Sequence, residues 1–126
     1  WQAQRLWRIL EALAERVSLG VSGIGQMGSD APLVADGFID SGEMADLIAH
    51  GAVAELSGFV YDMRGQLLDH PHNLRVTSLP LPRPHPLLAI AAGLEKLEAV
   101  RAVLRGRLID QLVTDEATAR LLCESA

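Results

Sequence analysis

Cysteine is nearly missing from this chain. Cys123 is the only one in 126 residues. That excludes a disulfide framework and any CxxC zinc site, and it fits a reducing, cytoplasmic compartment. Lysine is nearly missing too, with ten arginines beside a single lysine, Lys96. No dense Lys/Arg cluster exists, and sixteen acids against eleven bases leave a formal charge of −5. Specific contact with nucleic acid is therefore not expected from these residues. No apolar run approaches the roughly 18 residues of a membrane span. No basic segment precedes an apolar stretch at the start, so no signal peptide is expected. The chain opens on Trp1 rather than Met, and its natural reading frame is expected to begin upstream.

Apolar residues make up 49% of the chain and charged residues 21%. That is enough for a packed core, and the length suits one domain. Leu6, Ile9, Leu10, Leu13 and Val17 recur at helical spacing, which predicts a helix over 2–16 with its stripe packed into a core. Residues 17–22 read as a strand and 23–30 as a glycine-rich turn. Asp40 with Glu43 is a capping box, Gly51 a stop, and 41–50 the helix between them. Residues 52–61 read as one strand, 62–65 as a turn and 66–68 as an extended return. Alternating prolines at 80, 82, 84 and 86 forbid a helix and favour polyproline-like extension. Residues 87–92 read as a strand covered on both faces, 95–105 as a helix, 108–113 as a strand and 115–124 as a helix. Helices alternating with short apolar strands predict a parallel α/β sheet.

Ligands of open α/β sheets sit at the carboxyl ends of strands. Three turns are placed there: Gly23-Ile24-Gly25, Gly93 to Lys96, and Thr114-Asp115-Glu116. Helix N-termini after them offer free N–H groups to an anion. Positions 23–28 spell G-x-G-x-x-G, but Pro32 and loop-like residues follow where a dinucleotide-binding helix should open. Gly23 and Gly25 suit either a tight turn or close approach of a ligand. Asp62 suits a turn cap or a hydroxyl acceptor. Asp115 and Glu116 read as helix-capping acids. His50, His70, His72 and His85 are scattered. His70-x-His72 alone is a poor metal site, so no metal and no cofactor is assigned.

The ordered motifs Gly23-Ile24-Gly25, Gly51-Ala52-Val53, Phe59-x-x-Asp62-x-x-Gly65, Gly93-x-x-Lys96 and Thr114-Asp115-Glu116-x-Thr118-Ala119 resemble the effector-binding domain of SorC-type sugar-binding transcriptional regulators. The resemblance covers nearly the whole chain. It implies a three-layer α/β/α fold similar to sugar-phosphate isomerases and deaminases. Residues 1–126 are expected to be the C-terminal portion of that domain. A preceding helix-turn-helix and the first half of the sugar domain, with its glycine-rich phosphate loop, are expected to be absent.

By position, the resemblance implies a ligand-binding set of Gly23, Gly25, Gln26, Asp62, Gly65, Gly93 and Lys96. Gly23 and Gly25 line the pocket, Asp62 accepts from sugar hydroxyls and Lys96 faces a phosphate. Ala54-Glu55 stand where the family has Gly-Asp, and Ala92-Gly93 where it has two glycines. The proline ladder replaces a short family helix. The expected function is sensing of a phosphorylated sugar without catalysis, in a homo-oligomer that meets DNA only through the absent helix-turn-helix. The rival is a sugar-phosphate isomerase or deaminase with Asp62 or Asp115 as general base.

Overall fold

The computed structural model describes residues 4–124. Chain order is α1 (Arg5–Ala14), β1 (Gly20–Gln26), α2 (Pro32–Ala35), α3 (Ser41–Ala49), β2 (Ala54–Leu56), β3 (Phe59–Tyr61), α4 (Pro71–Arg75), β4 (Leu87–Ile90), a 3-10 turn (Leu94–Lys96), α5 (Leu97–Arg105), β5 (Gln111–Val113) and α6 (Glu116–Glu124). Helix starts follow the capping chemistry in the sequence. Asp40 Oδ1 accepts from the Glu43 N–H at 2.8 Å and opens α3. Pro32 and Pro71 occupy first-turn positions of α2 and α4, where a missing N–H is harmless.

The five strands form one sheet in the order β3-β2-β1-β4-β5. β1 pairs in parallel with β4, and β4 with β5. β2 is antiparallel to both β1 and β3, so four of the five strands run the same way. The single strand expected over 52–61 is instead a hairpin. Ser57 (φ 55°) and Gly58 (φ 89°) turn the chain between Leu56 and Phe59, which pair. Two consecutive residues at positive φ form the two-residue turn whose twist matches the strands.

β1 also begins and ends later than expected. Gly23 and Gly25 lie inside it rather than in a turn, because β2 and β4 pair along its two edges and hold the backbone extended. A short helix does open at Pro32, in a stretch expected to be loop.

One face of the sheet is closed. Ile24, Leu56, Leu87 and Ala89 pack there against Val100 and Val103, all buried. The other face is closed only at its β3 end, where Val60 joins Met44, Leu47, Leu33 and Ile39. It is open over the first part of β1 and over the ends of β4 and β5. Val21, Ile90 and Val113, on that face by register, are 59%, 49% and 51% exposed. The expected burial of β4 on both faces therefore fails at Ile90. Burying such a side chain contributes about 1.5–3 kcal/mol, so proteins rarely leave three of them adjacent and bare.

The helix α1 is pinned at its end, where the buried His85 donates from Nδ1 to Ala14 O at 3.1 Å. Trp7 and Ala14 are buried, but Leu6, Ile9, Leu10 and Leu13 are exposed. The expected packing of that stripe into a core is not what the structure shows. Among the described residues, no helix is long and apolar enough to cross a membrane.

Candidate functional site

The uncovered face includes a strip of β1 without side chains. Register places Gly23 and Gly25 on it, between Ile90 of β4 and Glu55 of β2. A Cβ added at Gly23 would meet only Ile90 O, at 3.9 Å. Gly25, in contrast, is buried: the Glu55 side chain folds across it. A Cβ there would lie 2.5 Å from Glu55 Oε2. Gly23 thus leaves a trough open, and Gly25 makes room for the carboxylate at its end.

Glu55 is the functional candidate that the sequence reading missed. It is half-buried and accepts from the Gly58 N–H at the hairpin tip. Burial pushes its carboxyl up from the ordinary glutamate range, against the opposing pull of the Gly58 N–H and the charges of Lys96 and His72. Two signals pointed to it: a lone acid in an otherwise apolar strand, Ala54-Glu55-Leu56, and its place where the family resemblance puts an aspartate.

Lys96 reaches the same place from the other side. Pairing of β1 with β4 ends at Gly23–Ile90. The next β1 carbonyl, Ile24 O, accepts instead from Lys96 Nζ at 2.8 Å. Lys96 therefore neither points into solvent nor pairs with Glu95 or Glu98. It fills the crevice where the two strands part. An ammonium carries three donors, and this bond uses one.

The glycine turn before Lys96 is less open to an anion than expected. The Gly93 N–H donates to Asp115 Oδ2 at 2.8 Å. Gly93 has φ 108°, and a Cβ on it would collide with the Glu95 carboxylate. Asp115 also accepts from Thr118 N at 2.9 Å and Thr118 Oγ1 at 2.7 Å. These bonds, the Gly93 N–H first, hold its carboxyl down to about 2. Asp115 is the cap of α6 that the sequence reading expected.

Gln26 ends β1 one residue past Gly25. Its Oε1 is buried with no hydrogen-bond partner, as is Thr114 Oγ1 just past β5. Both orphans stand at the carboxyl ends of strands running the same way.

Asp62 and Gly65 are not brought to this crevice. Asp62 follows β3, two strands from β1, or about 10 Å at ordinary strand spacing. Its Oδ1 accepts from Arg64 N at 2.8 Å and Gln66 N at 2.9 Å, which makes it a turn cap. Gly65 is buried at φ 73°, with its backbone pressed on Gly106. Gly106 and Lys96 flank opposite ends of α5, about 15 Å apart for ten residues of helix. The role visible for Gly65 is close packing.

Two of the four histidines, His50 and His70, meet in space. His70 Nε2 donates to Asp46 Oδ2 at 2.8 Å, and the His50 Nδ1 lies 3.4 Å from Asp46 Oδ1. The His70 N–H···O bond holds the Asp46 carboxyl below its usual range. His72 turns away and donates from Nε2 to Gly58 O at 2.9 Å. The pair that sequence spacing suggested, His70 with His72, is thus replaced by His70 with His50.

Comparison with known proteins places this geometry in a family. The Sugar-bind family, described as a sugar-binding domain, matches residues 2–124. The erythritol catabolism regulatory protein EryD of Brucella abortus is 34% identical over 109 residues, covering 85% of this chain and 34% of that protein. The transcriptional regulator LsrR of an Enterobacter species is 34% identical over 113 residues, with shares of 85% and 35%. The chain thus spans about a third of the length of these curated relatives. Among solved structures, the full-length sorbitol operon regulator SorC of Klebsiella pneumoniae superposes with a TM-score of 0.82 at 25% identity, covering 96% of this chain and 40% of that one. A DeoR family transcriptional regulator from Listeria monocytogenes gives 0.86 at 22% identity, with shares of 94% and 49%. This chain belongs to the Sugar-bind family and is a sugar-binding domain of the SorC type found in transcriptional regulators.

Proposed function

We propose that this domain binds a phosphorylated sugar in the β1 trough, without chemistry, and that binding shifts the quaternary state and DNA affinity of a longer cytoplasmic regulator. One observation carries the reading: open backbone at Gly23, at a strand junction where an ammonium and the half-buried carboxylate laid over Gly25 meet. A polyol needs acceptors for its hydroxyls, and the Glu55 carboxylate supplies them, whereas Gln26 belongs by register to the opposite face. A phosphate needs a cation, and the two spare donors of Lys96 supply that. In this reading Glu55 takes the part that the family resemblance implied for Asp62. Gly93 shapes the turn that carries Lys96 rather than offering its own N–H.

The remaining walls come from chain outside these residues. We assign the cover of Val21, Ile90 and Val113 to the preceding half of the same domain, which brings its own phosphate loop. Exposed Leu6, Ile9, Leu10 and Leu13 then serve contacts in a homo-oligomer. The effector would bind one quaternary state better and so move the DNA equilibrium by linkage.

Catalysis has little support. The Asp115 carboxyl is spent on capping and held near 2, far below a useful base. The Asp46 contacts of His50 and His70 lie between α3 and α4 rather than on β1.

The test is thermal denaturation of the full-length regulator across a panel of phosphosugars and their unphosphorylated parents. At least one phosphosugar should raise the midpoint and change operator affinity, while its parent does neither. Stabilisation by the parent alone would overturn the phosphate assignment. Turnover of the stabilising phosphosugar would overturn the non-catalytic one.

A further inference from the structure

Asp46, His50 and His70 present one ligand atom each, all within 4.8 Å of one another. From this we infer a divalent transition-metal site on the surface between α3 and α4, away from the proposed sugar trough. Its ligands are Asp46 Oδ, His50 Nδ1 and His70 Nε2.

Local structure makes the site. Asp46 and His50 are four residues apart at the end of α3, hence on one face of the helix. His70 is the N-cap of α4, buried, with its ring edge-on to His50 at a centroid distance of 5.3 Å. Two contacts to the carboxylate measure 2.8 and 3.4 Å. Ligands at about 2.1 Å from a tetrahedral zinc lie about 3.4 Å from one another, so the atoms need little movement. Two imidazoles with one carboxylate favour zinc, nickel, copper or cobalt over magnesium or calcium. Asp46 and His50 are exposed, which leaves a fourth position for water or another donor.

Both rings now aim an N–H at Asp46: His50 Nδ1 at its carbonyl, 2.8 Å, and His70 Nε2 at its carboxylate. A cation would take the place of these two protons. Each ring proton moves to the opposite nitrogen, with no net proton gained or lost by a neutral ring. For His50 that nitrogen meets water. For His70 it is Nδ1, which now accepts the His72 N–H at 3.1 Å. Metal capture must therefore release the His72 amide from its cap. That coupling is a signature of this site and no other.

The experiment titrates chelator-stripped full-length protein with Co²⁺, followed by visible absorption, then displaces it with Zn²⁺. One Co²⁺ per chain with the intense bands of a four-coordinate ion is expected. His50→Ala and Asp46→Asn should each weaken binding at least tenfold. His50 is exposed, so its variant should keep the wild-type melting midpoint, which separates ligand loss from unfolding. Amide exchange at His72 should speed up when Zn²⁺ is bound. No binding to the wild type, or binding unchanged in both variants, would overturn the site. Unchanged exchange at His72 would remove His70 from it.

Discussion

Lys96 Nζ donates to Ile24 O at 2.8 Å, across 72 residues of sequence. The bond sits one residue beyond the last β1–β4 pair, Gly23 with Ile90. It ties the turn after β4 to the strand that floors the trough. The only lysine of the chain thus has a structural task before any ligand arrives.

That task has a measurable consequence. Removing a charged donor from a half-buried carbonyl costs about 1–3 kcal/mol. Lys96→Met keeps the apolar stem and deletes the ammonium, so it should destabilise the domain by roughly that amount in urea denaturation. A variant as stable as wild type would mean that the carbonyl is served by water instead. Lys96→Arg should recover only part of the loss, because a planar fork does not replace a compact ammonium.

Glu55 should behave in the opposite way. Its folded pKa is raised, so the folded state holds that proton more tightly than the unfolded one. The ionised form is then unfavourable to folding, and its contribution worsens as pH rises through the folded pKa. Glu55→Gln keeps an acceptor for the Gly58 N–H and removes the charge. Thermal melts at pH 7 should show a midpoint equal to or above wild type, and effector affinity at least tenfold weaker. A large loss of stability would mean that the carboxylate belongs to the scaffold.

Asp115 gives a pH dependence of the other sign. Its folded value of about 2 lies below the ordinary 3.8. Such a group stabilises the fold fully above its unfolded pKa and loses that contribution as pH falls from about 4 towards 2. In Asp115→Ala this acid-limb decline should be shallower, and the neutral midpoint lower by several degrees. Urea midpoints across that range would show it. Parallel curves for both proteins would contradict the assignment.

Gly65 separates packing from binding. A Cβ at φ 73° would press on the backbone of Ala102 and Gly106. Gly65→Ala should therefore cost about 2 kcal/mol or more. Affinity per folded molecule, by calorimetry below the melting range, should be unchanged. A selective loss of affinity would return Gly65 to the ligand set.

Much of this was legible in the sequence, for physical reasons. Asp40 with Glu43, Gly51, and Asp115 mark helix ends by local hydrogen bonding, and the structure uses each as expected. The α/β alternation follows from periodicity alone. Other features needed partners. Gly23 and Gly25 suit a turn or a strand equally, and only pairing with β2 and β4 decides. The hairpin was signalled by Ser57-Gly58, but the apolar residues on either side read as one run. The α1 stripe shows that a face is apolar without showing what covers it. The site was half legible: Lys96 stood out by rarity, and the two glycines by motif. Glu55 did not, because its meaning comes from Gly25 on the neighbouring strand. Nor did the Asp46–His50–His70 cluster, which joins residues 20 positions apart across two helices.

The trough itself is tested most directly at Gly23. Its Cβ position is open, with only Ile90 O at 3.9 Å, and its backbone is ordinary strand. A β-branched residue fits such a strand, so Gly23→Val should keep or slightly raise the melting midpoint. The new side chain would stand in the proposed sugar trough. Calorimetric titration of full-length wild type and Gly23→Val with the stabilising phosphosugar is the deciding measurement. The account predicts at least a tenfold loss of affinity in a protein that is no less stable. Equal affinity in the two proteins would contradict it and move the effector elsewhere on the domain.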